Sequence, residues 1–155
     1  MIILKSGGQT GADRAALDAA IELGIPCGGW CPKGRRAEDG PIDSKYPLKE
    51  HSSSWYMART LENILDSDGT LILESGKLTG GTKQTKDLAD ENCKPVLVVN
   101  PKDISNVKSV INWMKMFSIS EVNVAGPRES KRPGIHDSSV AFLKAVVEEL
   151  KKEPK

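Results

Sequence analysis

Strands that alternate five times with helices, and two glycine-rich loops that each stand between a strand and a helix, predict a Rossmann-like, doubly wound α/β domain. The expected sheet is parallel, of about five strands, with helices on both faces. A length of 155 residues fits one domain with a real core, and no linker or internal repeat divides the chain. With five strands the expected spatial order is 2-1-3-4-5. Its first and third strands are neighbours, and their outgoing connections go to opposite faces.

Each element follows from a local pattern. Ile2-Ile-Leu4 is a short apolar run stopped by Ser6-Gly7-Gly8, a buried strand ending in a tight turn. From Thr10 a helix carries Ala16, Leu17, Ala20, Ile21 and Leu23 at helical spacing, with Gly24 placed to end it. Pro26 to Trp30 reads as a second strand weakened by its glycines, at an edge or beside a close backbone approach. Cys31 to Ser52 shows neither period and is expected to be a structureless functional loop or a disordered one. An amphipathic helix from about Ser53 to Leu65 presents Met57, Ala58, Leu61, Ile64 and Leu65, with Trp55 at its margin. Thr70 to Leu73 is a buried strand, followed by a glycine loop and a polar helix from about Thr82 to Asn92. Pro95 to Val99 is the clearest strand. A helix from about Ser105 to Phe117, a fifth strand Val122 to Ala125, and a last helix opening at Asp137 or Ser138 complete the alternation. Lys151 to Lys155 reads as a fraying charged tail.

Composition excludes several classes. Twenty-two basic against 21 acidic residues leave a net charge of +1, without the broad positive field that tracks extended nucleic acid. No apolar run approaches the roughly 20 residues of a membrane helix. The start lacks the basic and small-residue features of a signal peptide, so the expected location is the cytoplasm. The odd cysteines Cys27, Cys31 and Cys93 do not form a disulfide framework. With His51 and His136 in no metal-binding spacing, no metal site is expected.

The chemistry concentrates in the two glycine loops. In Ser6-Gly-Gly-Gln-Thr-Gly-Ala-Asp13 glycines allow a sharp turn and close approach, while exposed amides and the positive end of the following helix favour an anion. The loop is neither a Walker loop nor a dinucleotide fingerprint. A plain turn with Thr10 and Asp13 as a capping pair is the competing reading. Ser75-Gly-Lys-Leu-Thr-Gly-Gly-Thr82 repeats the logic, with the hydroxyls of Thr82 and Thr85 in the first helical turn. Two such loops meeting at the switch point favour one phosphate site over two coincidental turns. Lys33, Arg35 and Arg36 stand on the long loop, where an arginine could close over a phosphate, although a mixed charge run there also reads as solvated surface. Arg128 is a weaker candidate of the same kind. Trp30 and Trp55 read as core or rim packing rather than stacking platforms, and His136 as turn chemistry.

Five separated motifs resemble those of the family of molybdenum carrier proteins: Ser6-Gly-Gly-Gln-Thr-Gly-Ala-Asp-Arg14, Gly29 to Arg35 with Ala37-Glu-Asp-Gly40, Ser67-Asp-Gly-Thr70, Gly80-Gly-Thr82, and Asn123-Val-Ala-Gly-Pro127. The resemblance spans almost the whole chain. It extends to a wider Rossmann-like group of molybdenum cofactor carriers and lysine-decarboxylase-like phosphoribohydrolases, which release a base from nucleoside monophosphates. It implies a ligand that is molybdenum cofactor or a nucleotide. The residues it would carry over are Gly7, Gly8, Gln9, Thr10, Gly11, Asp13 and Arg14 in the first loop and Gly80, Gly81, Thr82 and Thr85 in the second, with Lys33, Arg35 and Arg36 behind them. Asp13 fits a capping pair or a ligand hydroxyl better than a phosphate, which its charge would repel. The hydrolases resemble one another in a Pro-Gly-Gly-x-Gly-Thr-x-x-Glu signature whose glutamate acts in the reaction; here Thr85 takes that place, and a hydroxyl cannot supply a carboxylate's proton chemistry.

Three readings follow. One is a non-catalytic carrier or sensor of a phosphate-bearing, nucleotide-like or pterin-like molecule. Another is a hydrolase of an N-glycosidic or phosphate bond in which Glu38, Asp39 or Glu74 replaces the missing glutamate. The third is a regulatory module, a homo-oligomer whose assembly the ligand controls.

Overall fold

The computed structural model describes residues 2–53 and 55–152. Ser54 and the last three residues of the charged tail lie outside the described residues. The element order is β1 (Ile3–Lys5), α1 (Ala12–Leu23), β2 (Cys27–Gly28), β3 (Trp30–Cys31), β4 (Lys49–Glu50), α2 (Tyr56–Leu65), β5 (Gly69–Leu73), α3 (Gly80–Glu91), β6 (Val96–Val99), α4 (Asn106–Met116), β7 (Glu121–Ala125) and α5 (Ile135–Lys152).

Five strands form the expected Rossmann-like parallel sheet, in the order β2-β1-β7-β5-β6. The last strand therefore does not stand at the far edge, and the first and third strands of the alternation are not neighbours, as the order 2-1-3-4-5 would have them. β7 is inserted between β1 and β5. Side chains hold it there: the Asp68 carboxylate accepts the backbone amides of Ser120 and Glu121 at 3.0 and 2.9 Å, and Asn123 Nδ2 donates to Thr70 Oγ1 at 3.2 Å. Read from β7 onward, the strands β7, β1, β2, β5 and β6 take the positions 3-2-1-4-5, the first five strands of the dinucleotide-binding order. The order reverses between β7 and β5, so the switch-point crevice opens at the carboxyl ends of those two strands.

α1 packs on α5 and α5 on α4, while α2 packs on α3. Right-handed crossovers place these two groups on opposite faces. The main core lies on the first face, where Ala12, Ala16, Ala19 and Ala20 of α1 meet Phe142, Leu143 and Val146 of α5 over Leu4, Val122, Val124 and Leu71. Small side chains on α1 let these elements approach closely. Gly24 ends α1 as expected: it is left-handed (φ 68°), and its amide bonds the carbonyls of Ala20 and Ile21.

Two local expectations are corrected. The segment Pro26 to Trp30 splits at Gly29, which has a φ of 131° and no room for a side chain, since a Cβ there would stand 2.1 Å from Ser6 O. β2 stays in the main sheet and β3 leaves to pair in parallel with β4. The long loop is ordered rather than structureless. Arg35 donates to four carbonyls within it, those of Ile42, Asp43, Tyr46 and Leu48, and Ile42 and Tyr46 are buried against Leu17 and Cys31. No helix among the described residues is long and apolar enough to cross a membrane.

Candidate functional site

A cavity of about 480 Å³ opens at the carboxyl end of β7. The first glycine loop, one side of α2, the start of α3 and the turn after β7 wall it. Seven of the expected residues line it: Gly7, Gln9, Asp13, Gly80, Gly81, Thr82 and Thr85. Gly8, Thr10, Gly11, Arg14, Lys33, Arg35 and Arg36 do not.

The feature that sequence reasoning missed is Arg59. It is 6% exposed, yet its guanidinium donates no hydrogen bond to any described residue, and its Nε is fully buried without an acceptor. Its contacts are an ion pair with Asp13 at 3.7 Å and the Tyr56 ring, 4.6 Å from Cζ to centroid. A buried guanidinium with its donors unused is costly to keep. Gly7 makes room for it, since a Cβ there would stand 1.9 Å from Arg59 Nη1. Of the apolar face expected for α2, Met57, Ala58, Leu61, Ile64 and Leu65, only Ile64 is buried; Arg59, Thr60 and Asn63 are buried beside it, and Leu65 is exposed. The signal was present: Tyr56, Arg59, Thr60 and Asn63 recur at i, i+3, i+4 and i+7, a polar stripe that all faces the cavity.

Across the cavity α3 begins at Gly80, two residues earlier than expected, with Gly80 at φ 53° and no side-chain cap on its first turn. Its free amides and dipole present positive potential to the cavity. Thr82 is 5% exposed, and its hydroxyl bonds no described residue. Thr85, expected as a second donor, instead gives its hydroxyl to the Gly81 carbonyl at 2.9 Å, inside the helix. Lys131 reaches this helix start, where its Nζ donates to the Thr79 carbonyl at 3.3 Å and to the Thr79 hydroxyl.

The other expected residues build the frame. Arg14 donates to the Gly8 carbonyl at 2.9 Å and forks onto Asp39 at 2.9 and 3.1 Å, fastening the long loop to the first. Glu38 accepts the hydroxyls of Thr10 and Ser130, and the side-chain Oε1 of Gln9 accepts the backbone amides of Thr10 and Glu38. Gly11, at φ 80°, would place a Cβ 2.3 Å from Pro127 O, so only glycine lets the two turns touch there. Arg35 is spent on its own loop, and Lys33 and Arg36 are exposed away from the cavity. The Thr10–Asp13 capping pair does not form: Gly11 is the N-cap of α1, with no side-chain cap bond. Trp30 packs edge-on to His51 and donates Nε1 to Asp66 at 2.7 Å, whereas Trp55 is 68% exposed and packs in no core. His136, expected as turn chemistry, bridges Asp18 and Asp137 at 2.7 and 2.9 Å.

The carboxylates that could have replaced the missing glutamate are committed elsewhere. Hydroxyls of Ser130 and Thr10 hold the Glu38 carboxyl below its usual range, and the Arg14 guanidinium does the same for Asp39. Glu74 accepts from Gly76 N and from Arg132 Nε, both at 2.9 Å. None of the three lines the cavity, where Asp13 is the single acid among the described residues. Burial pushes the Asp13 carboxyl up to about 6, against the opposing pull of Arg59, the amides of Gln9 and Gly7, and Arg14. No three His, Cys, Asp or Glu side chains among the described residues come together as a metal set.

The family model of the circularly permutated YpsA SLOG family matches residues 4–147. The chain belongs to that family. Permutation is what the sheet displays, since the strand order becomes that of the dinucleotide-binding fold when the chain is read from β7. In this family member the crevice thus lies between β7, the strand whose place in the sequence is permuted, and β5. The crystal structure of a "Putative molybdenum carrier protein" from Syntrophus aciditrophicus SB is similar at 43% identity and a TM-score of 0.91, over 95% of each chain. No curated protein matches.

Proposed function

We propose that this family member is a carrier or sensor that grips a small ligand by an anionic group and does no chemistry on it. The ligand is a phosphate-bearing nucleotide-like or pterin-like molecule, and the cytoplasm, which suits three free thiols, is its setting. The carrying observation is Arg59, a nearly buried guanidinium on the cavity wall that donates no hydrogen bond to any described residue and whose Nε is buried without an acceptor. A phosphate ester or another tetrahedral oxyanion at Arg59 would use these donors, and the first turn of α3 across the cavity adds positive potential for an anionic ligand. Molybdenum cofactor, in keeping with the name of the Syntrophus protein, offers such a phosphate, and molybdate itself is a tetrahedral oxyanion. No cysteine lines the cavity, so the wall residues fit the oxygen-rich end of such a ligand and not a thiolate-bound metal.

Calorimetry with molybdenum cofactor, molybdate and nucleoside monophosphates tests this. At least one is expected to bind, and Arg59→Met to weaken that binding by roughly a hundredfold, the scale of losing a buried charge-assisted contact. Silence from the whole panel, or an Arg59→Met protein that binds as well as its parent, overturns the reading. The hydrolase reading requires a free base from nucleoside monophosphates, with turnover lost in Asp13→Asn, because Asp13 is the acid in reach.

A further inference from the structure

We infer that the ligand carries two linked anionic groups, as a diphosphate ester does, and that Lys131 and Arg128 read the second one. This rests on the anion-binding reading above and adds the class of ligand. The cavity wall holds three cations, Arg59, Arg128 and Lys131, against the single carboxylate of Asp13. Asp13 lies beside Arg59 at 3.7 Å and leaves the other two without a close counter-charge; Arg128 approaches Glu38 only at 3.9 Å, and Glu38 is already bound by Thr10 and Ser130.

Lys131 stands at an electrostatically wrong place. Its Nζ contacts the N-cap residue of α3 and lies 3.5 Å from the position of a Cβ on Gly80, so a cation faces the positive end of a 12-residue helix. Lysines are favoured at the other end of a helix. An anion between the ammonium and the first amides of α3 turns that repulsion into two attractions. The hydroxyl of Thr82, which bonds no described residue and belongs to a residue 5% exposed, supplies a further donor. Tyr56 separates this centre from Arg59: its ring lies against the guanidinium, and its hydroxyl is 2.3 Å from where a Cβ on Gly81 would sit. Two cationic centres on either side of one ring match two groups joined by a bridging oxygen better than one compact anion.

Inorganic phosphate and inorganic pyrophosphate, titrated without magnesium into the full chain, separate the two claims. Pyrophosphate is expected to bind at least about tenfold tighter than phosphate. The double variant Lys131→Gln, Arg128→Gln is expected to remove that advantage, bringing the two anions to within about threefold of each other. Arg59→Met weakens both anions. Equal affinity for the two anions in the parent protein, or a double variant that keeps the preference, overturns the second group and leaves the first intact. Binding of neither anion overturns the anion site itself. A thermal melt of each variant shows that the fold is retained, and a variant melting with its parent yet losing only pyrophosphate preference supports the assignment.

Discussion

Asp13 and Arg59 face each other at 3.7 Å, with each side chain 7% exposed, and this pair gives the cavity a pH dependence. Burial raises the Asp13 carboxyl from 3.8 to about 6 although Arg59 stands beside it, so dehydration costs the anion more than the cation returns. Between those two values the folded chain holds a proton that the unfolded chain has released. The contribution of Asp13 to stability is therefore complete below about pH 3.8 and lost as pH rises through about 6, at most about 3 kcal/mol. Asp13→Asn, which stays neutral, is expected to gain on its parent by about 2 to 3 kcal/mol between pH 4 and pH 8 in urea denaturation. A difference that does not change with pH contradicts the assignment. The same titration acts on ligands, because ionised Asp13 competes with an incoming anion for Arg59. Sulfate, which does not titrate in this range, is expected to bind the parent more weakly as pH rises through 6, and Asp13→Asn with little pH dependence. Gly7 belongs to the same unit, as the residue whose missing side chain lets the guanidinium lie on the loop.

At the scale of elements, the long segment between β3 and α2 is held by a few polar knots. Arg35, itself left-handed at φ 53°, donates to four carbonyls of that segment at 2.7 to 3.3 Å, and Arg14 forks onto Asp39. Arg35→Ala leaves those carbonyls without their donor, and it is expected to cost about 2 to 3 kcal/mol and to deprotect amides between residues 32 and 48 in hydrogen exchange. Amides of α4, which none of the Arg35 hydrogen bonds reaches, keep their protection. Lysine should not rescue, because a point charge cannot reproduce the fork; rescue by Arg35→Lys would show that charge alone orders the loop. Nothing periodic marks this order in the sequence. Each knot joins residues far apart in the chain or a side chain to backbone, and neither leaves a hydropathy signal. The glycine loops, by contrast, were legible, because glycine between strand and helix is a local demand of the backbone. Their arginines were legible as cations but not by role: Arg14 and Arg35 are structural, while Arg59 was hidden because Met57, Leu61 and Leu65 give α2 a plausible apolar face on another side.

For the whole molecule, periodicity gave the five helices and the five strands of the main sheet in their sequence, but not the small β3–β4 pair, and the neighbours of β7 depend on long-range contacts that no local pattern encodes. Val122, Asn123 and Val124 are all buried within β7, while β6, expected as the clearest strand, keeps only Val99 buried and forms the edge. The sheet therefore has a natural alternative start. Read from β7, the path β7, α5, β1 is a right-handed crossover between paired parallel strands, and α5 already packs on α1, the helix of the next crossover. A circular permutant that joins the present ends through a flexible linker and opens the chain after Ser118 is expected to fold to the same sheet. Ser118 is exposed and left-handed at φ 53°, next to half-exposed Phe117, so the new ends leave the surface without cutting a strand. The cut releases the turn bonds from Ser118 N to Lys115 O and Ile119 N to Met114 O, which sets the expected loss of stability at about 1 to 3 kcal/mol. Opening the chain between Gly8 and Gln9 instead severs the loop that carries Arg59's neighbour and the β1 to α1 connection. That second permutant is expected to lose the sulfate binding of the parent even where it folds. Matching far-ultraviolet circular dichroism and sulfate affinity for the first permutant, and their loss in the second, would show that the domain is defined by the crevice between β7 and β5 and not by where the chain begins.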